Sequence, residues 1–247
     1  MTAERVDAAA SLRMASSLGA FFEILPVPEG AGWRPISDLV DGSDTLDRRI
    51  QSTRAVMAAS SQVDVVAIDE KAAASVVQLG LVSRLLSPAL ASATVTGWVP
   101  DLSLERVWWK PETYNPVPIA VPEVTGRRGA TTHDVVDAFA ELVLRRAVRP
   151  LVEATSGVVA ISPRVLWGNV ASALVGAATM INRARPELAA STAHLATALV
   201  EGTDLASTGD FGPGGFRRRS CCLFYRVPGA GLCGDCVLQA TRTAGRH

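Results

Sequence analysis

The chain has almost no lysine: only Lys71 and Lys110 occur among 247 residues, and arginine supplies the other side-chain cations. The 24 basic residues are balanced by 24 acidic ones, so no global field gathers nucleic acid, and none is expected as a partner. No G-x-G-x-x-G opens a βαβ unit, so no nicotinamide or flavin site of the chain's own is expected. No catalytic triad is recognisable, and there is no internal repeat. Glu4, Arg5, Asp7 and Arg13 interrupt the first residues, which do not read as a signal peptide. The longest uncharged helical stretch, Val165 to Asn182, carries Gly168, Asn169, Ser172, Gly176 and Thr179 and falls short of the roughly 20 apolar residues that span a bilayer. It reads as a buried central helix, and the chain as cytoplasmic. Cysteine is absent from the first 220 positions.

What is present is enough apolar material for a sizeable core: 48% hydrophobic and 19% charged residues. The expected fold is α+β, predominantly α-helical, with a small antiparallel β element and a C-terminal loop. Residues 1–95 read as an N-terminal helical region, 96–205 as a small β element followed by helices, and 206–247 as a separate cysteine-bearing segment. Helices are expected over 4–23, 44–60 and 69–86, with Pro88 starting a further short one through Ala93. Residues 94–124 contain five prolines and the β-favouring stretches Val107-Trp108-Trp109 and Val117-Pro118-Ile119, which suggest a strand pair. Thr131 and Asp134 form a capping-box-like start. Ser162-Pro163 reads as an N-cap and first turn, and Pro186 begins a last helix closed near Gly202. Gly168, Ser172 and Gly176, four apart, would let a neighbouring helix approach. After residue 206, Ser, Gly and Pro become frequent and periodicity disappears, as in a loop held by a metal centre.

All four cysteines lie in one 16-residue window, C-C-x10-C-x2-C: Cys221, Cys222, Cys233 and Cys236. In a reducing compartment such a group is metal-ligating rather than disulfide-bonded. Cys233-Gly-Asp-Cys236 is a turn that lets two sulfurs converge. The excursion from Cys222 contains Pro228, Gly229 and Gly231 and can fold back. Adjacent Cys221 and Cys222 diverge in extended backbone, so both reach one centre only if the chain turns sharply or the centre is wide. A [2Fe-2S] rhomb is wider than a zinc ion, but the spacing leaves both open.

The segment Arg217-Arg-Arg-Ser-Cys-Cys-Leu-Phe-Tyr-Arg226, with Pro228-Gly and Cys233-Gly-Asp-Cys236, resembles the C-terminal signature of FhuF-like ferric siderophore reductases. Leu79-Gly-Leu-Val-Ser-Arg-Leu-Leu-Ser-Pro-Ala-Leu90 and Leu166-Trp-Gly-Asn-Val-Ala-Ser-Ala-Leu174 are similar to segments of actinobacterial members. The resemblance covers residues from about 70 to 238. It implies one [2Fe-2S] cluster on Cys221, Cys222, Cys233 and Cys236, and one-electron reduction of a ferric siderophore. The electron would come from an unidentified donor such as a ferredoxin or flavin reductase. Peripheral contact with a membrane importer, at the inner face of the membrane, is left open.

Arg217, Arg218, Arg219 and Arg226 flank the cysteines. They are candidates for stabilising a reduced, more anionic cluster or for attracting an anionic chelate; the alternative is a solvated basic loop. Phe224 and Tyr225 are expected to shield the cluster, or simply to pack. Trp167 is a candidate wall of a chelate pocket, and Trp108 and Trp109 of a binding surface, although packing serves for all three. His133, His194 and His247 read as surface or packed histidines, and Asp235 as a turn former. Two other functions compete: a zinc-stapled binding module, and a non-enzymatic iron–sulfur electron carrier or sensor.

Overall fold

The structure, a computed structural model, describes residues 3–112 and 116–239. It is a predominantly helical α+β fold, as expected. Its helices are α1 (Ala3–Ser16), α2 (Thr45–Ser61), α3 (Glu70–Thr96), α4 (Thr132–Phe139), α5 (Arg149–Val159), α6 (Pro163–Ala184) and α7 (Ala189–Gly202). Its short strands are β1 (Arg34–Pro35), β2 (Trp98–Pro100), β3 (Trp108–Trp109), β4 (Ile119–Ala120), β5 (Gly126–Arg128), β6 (Gly209–Gly212) and β7 (Gly215–Arg218). His247 lies outside the described residues.

The most extensive helix contact is between α3 and α6. Both are long and apolar enough to cross a membrane by composition, but 78% and 56% of their apolar windows are buried within the fold. They serve here as core helices. The main hydrophobic core runs from Leu12 to Phe216 and draws on every helix.

Helix α3 corrects the reading of a break at Pro88. The helix runs unbroken from Glu70 to Thr96 with Pro88 buried inside it. Proline lacks the N–H that would bond four residues back, at a cost of roughly 3 kcal/mol in a solvated helix. Here nearly every flanking residue from Leu85 to Ala93 is buried, and burial holds the helix together across the lost bond. Asp69 caps its start, accepting from the N–H of Lys71 at 2.9 Å, and Gly97 in the left-handed region (φ 70°) ends it.

The capping box is present: Thr131 accepts from the N–H of Asp134, whose carboxylate accepts from that of Thr131. The helix that follows passes through a π-helical stretch, Ala140–Val148, before α5. The N–H of Arg149 reaches back five residues to the carbonyl of Leu144. The wide turn precedes Pro150, which has no N–H to donate. Ser162 caps α6 with Pro163 in its first turn, as expected. Helix α1 ends earlier than the predicted residue 23: the hydroxyls of Ser16 and Ser17 turn back onto the carbonyls of Leu12 and Met14, and Gly19 adopts φ 122°.

The β element is antiparallel and larger than expected. β3 pairs with β4 at Trp108↔Ala120, and β1 joins the other side of β3 at Arg34↔Trp109. β2 and β5 form a second pair. The region after residue 206, read as pure loop, contains the hairpin β6–β7, in register Gly209↔Arg218 and Phe211↔Phe216. This hairpin delivers the chain to the cysteines.

Candidate metal centre

Strand β7 fixes what the three consecutive arginines do. Side chains alternate across a strand. Phe216, Arg218 and Ser220 therefore point inward, and Arg217 and Arg219 outward. Gly209, opposite Arg218, leaves room for the ring of Phe216, which a Cβ there would meet at 2.4 Å. Arg219 pairs with Asp210 on the surface. Arg218 is only 2% exposed, and it reaches the cysteines.

The turn after the adjacent cysteines is sharp. Leu223 sits in the left-handed region (φ 66°), a conformation unfavourable for a side chain with a Cβ. Its N–H donates to the sulfur of Cys221 at 3.3 Å. A 3-10 turn, Phe224–Arg226, follows. On the far side of the excursion, the N–H of Cys236 bonds to the carbonyl of Cys233 at 3.2 Å, closing the Gly-Asp turn. The backbone N–H of Arg218 bonds to the carbonyl of Asp235 at 3.1 Å and docks that turn on the end of β7. Cys222 and Cys236 are buried, whereas Cys221 and Cys233 are partly open.

The sulfurs of Cys222 and Cys233 lie 3.5 Å apart. One thiol is placed to donate to the other. This mutual hydrogen bond, aided by the N–H of Phe224 and by Arg218, pulls the Cys222 thiol down to about 5 against the effect of burial. The same bond and burial push Cys233 up. The charge belongs to the pair, and it faces Arg218. Burial raises Cys221. Burial also acts to lower the pKa of Arg218, but Asp235, Cys222 and Cys233 outweigh it and hold the guanidinium charged.

Arg218 spends each nitrogen. Nη2 donates to the Cys233 sulfur at 2.7 Å, and Nη1 to Oδ1 of Asn169 at 2.9 Å. Nε faces Oδ2 of Asp235 at 3.0 Å, an ion pair without the alignment of a hydrogen bond. Asp235, read from the sequence as a turn former, is thus also the counter-ion of a buried arginine. Its partner is 17 residues away, which no local pattern reveals.

The other arginines separate. Arg217 is exposed and lines an open cleft of about 650 Å³ together with Arg164, the Arg219–Asp210 pair, Gly234 and Asp235. Arg226 turns away to Asp69, 2.7 Å distant at the cap of α3. Phe224 and Tyr225, on the 3-10 turn, are 38% and 44% exposed. Trp167 lies beneath Arg149 and lines a smaller cavity with Arg164 and Arg219. Trp109 is core, His133 pairs with Asp137 on the surface, and His194 is exposed. Gly168 admits the cysteine segment rather than a helix, and Gly176 faces open space.

The donor set suits a wide, electron-rich group. Four thiols stand near one another, with backbone N–H donors and a buried cation directed at sulfur. Among the described residues no three His, Cys, Asp or Glu side chains gather closely enough to hold a single metal ion. Thiol ligands of this kind suit zinc or an iron–sulfur cluster, and the geometry alone does not choose between them. Residues 218–238 match the family model of the FhuF 2Fe-2S C-terminal domain, which bears out the FhuF-like resemblance over the segment holding all four cysteines. No curated protein matches the chain.

Proposed function

We propose that the chain is a siderophore ferric-iron reductase, which takes a ferric chelate beside the cysteine segment and frees its iron by passing one electron. The observation that carries this reading is the open cleft whose wall includes Gly234 and Asp235, the residues between Cys233 and Cys236. In this reading Cys221, Cys222, Cys233 and Cys236 hold one [2Fe-2S] cluster, which supplies one electron at a time. Ferric iron, small and highly charged, is held tightly by chelate oxygens; ferrous iron is held far less tightly. One electron therefore releases the metal, with no proton-transfer residue needed at the iron.

The residues of the chain do the positioning. Arg164 and Arg217 line the cleft, make no ion pair among the described residues, and supply its positive charge. Arg219 shares the cleft but is neutralised by Asp210. Arg226 is committed to Asp69 and leaves the substrate role. The electron comes from a separate, unidentified donor such as a ferredoxin or flavin reductase, and the setting is the cytoplasm.

Anaerobic purification followed by rapid mixing tests the reading. Expected are a reddish-brown chain with equal iron and sulfide, and reoxidation of the reduced protein by a ferric siderophore. A colourless chain holding one zinc would sink the cluster. A loaded chain that no ferric siderophore reoxidises would be an electron carrier or sensor instead.

A further inference from the structure

The sulfur of Cys233 is connected to the centre of the helical core by a chain of hydrogen bonds in which Arg218 donates both ways, outward to the sulfur and inward to Asn169. Arg218 donates to Asn169 Oδ1. Asn169 Nδ2 donates to Gln78 Oε1 at 3.0 Å and to Ser75 Oγ at 2.9 Å, and lies 3.2 Å from the Ser75 carbonyl. Gln78 Nε2 donates in turn to the carbonyl of Leu166 at 3.4 Å. Asn169 and Gln78 are fully buried and Ser75 is 1% exposed. Three acceptors surround the amide nitrogen of Asn169, so its oxygen must face Arg218. The amide cannot flip without setting N–H against guanidinium and oxygen against oxygen. Helices α3 and α6 thereby fix the angle at which the Arg218 fork meets Cys233.

A buried amide network of this kind is costly unless every member is satisfied, and a bulkier apolar pair would pack α3 against α6 at lower risk. At its end the network holds the Arg218 cation against the sulfur of Cys233. Opposing the cation is Asp235, whose carboxylate faces Nε of the same guanidinium. Cys233 therefore feels both the positive charge of Arg218, 2.7 Å from its sulfur, and the negative charge of Asp235, which partly offsets it.

Resting on the reading of the cysteines as cluster ligands, we infer that Arg218 sets the electron affinity of the cluster through its hydrogen bond to Cys233, and that Asn169 is the positioning residue that makes this possible. A donor and positive charge at a ligand sulfur favour the more negative, reduced state. Asn169 touches neither substrate nor sulfur and acts only through Arg218.

The test is a redox titration of the loaded full-length chain, followed by its visible and electron paramagnetic resonance spectra, with no siderophore present. Arg218→Gln is expected to shift the one-electron equilibrium toward the oxidised form by about tenfold, about 59 mV for one electron. Asn169→Leu should shift it in the same direction by a few-fold. Asn169→Asp, which adds a second carboxylate to Arg218, should do so at least as strongly as Asn169→Leu. Arg218→Lys retains the charge and should recover part of the shift. A merely structural role would lower iron content and melting temperature but leave the potential of the remaining clusters unchanged in all four variants, and that result overturns the inference. Should Arg218→Gln fail to retain iron, the two Asn169 variants decide alone. The outcomes are separable from the reductase reading: a chain whose potential shifts as described but which reduces no ferric chelate keeps this inference and loses that one.

Discussion

The hydroxyl of Ser220 occupies the place where a side chain on Gly168 would begin: a Cβ there would lie 2.2 Å from it. Ser220 also donates to the carbonyl of Arg164 at 3.1 Å, so it cannot simply rotate away. The residue immediately before Cys221 is thus seated on α6. Gly168→Ala should displace the cysteine segment, cost about 1–3 kcal/mol and reduce iron bound per chain. Gly176→Ala, two turns further along the same helix with nothing within 4 Å, should instead stabilise by about 0.5–1 kcal/mol. Thermal melting of the two variants, beside iron and sulfide assays, checks the opposite signs.

Arg164 and Arg217 should favour anionic ferric chelates. With gallium(III) in place of iron, binding can be measured without electron transfer. Removing either arginine should weaken a tricatecholate or carboxylate chelate by about two- to fivefold, with the difference shrinking as salt rises. A neutral trihydroxamate chelate should be little affected, and Arg226→Ala should change neither. Equal losses for all chelates would mean that the arginines support the cleft rather than read charge.

Asp69 performs two tasks: it caps α3 and it receives Arg226. Burial acts to raise its pKa, but Arg226 and the N–H of Lys71 outweigh this and hold it below the usual carboxylate value. Because the folded value is the lower one, this contribution is complete above the unfolded pKa of about 3.9 and is lost as pH falls below it toward the folded value. Asp69→Ala should cost about 1 kcal/mol at neutral pH through the cap, plus at most about 1 kcal/mol from the half-exposed pair. The deficit should fade below about pH 4, as denaturant midpoints across pH would reveal.

Removing iron with a chelator under reducing conditions should leave the helical core nearly intact. That core ends at Phe216, whereas few side chains after residue 219 are buried. Limited proteolysis should then cut within residues 219–238 several-fold faster, with far-ultraviolet circular dichroism little altered. Global unfolding on iron loss would contradict this division.

Much of this was legible locally. Thr131 with Asp134, and Ser162 with Pro163, announce helix starts because each cap is satisfied within three residues. Pro88 misled because proline is a reliable breaker only where solvent, not packing, decides. The hairpin after residue 208 was hidden by its glycines. Once it is seen, Phe216-Arg217-Arg218-Arg219-Ser220 reads as strict alternation and shows which arginine goes inside. Asn169 and Gln78 were beyond reach, since they are 91 residues apart and each is unremarkable alone. The four cysteines were conspicuous, but Asp235 and Arg218 acquire meaning only when the two ends of the segment meet.

Helix α3 carries Asp69 at its start, Ser75 and Gln78 one and two turns in, and Arg84 beyond. Arg84, buried, binds the carbonyls of Ala20, Phe21, Glu23 and Val117. A single rod thus touches the cysteine loop, the buried amides and the chain's first turns. The cysteine segment is consequently no portable cassette. Cut out and grafted elsewhere, residues 217–238 would keep four thiols but lose Gly168's seat, Asn169's grip and Asp69's anchor. In this chain, then, the cysteine segment and the Gly168-Asn169 pair on α6 form one unit, although some fifty residues separate them in sequence.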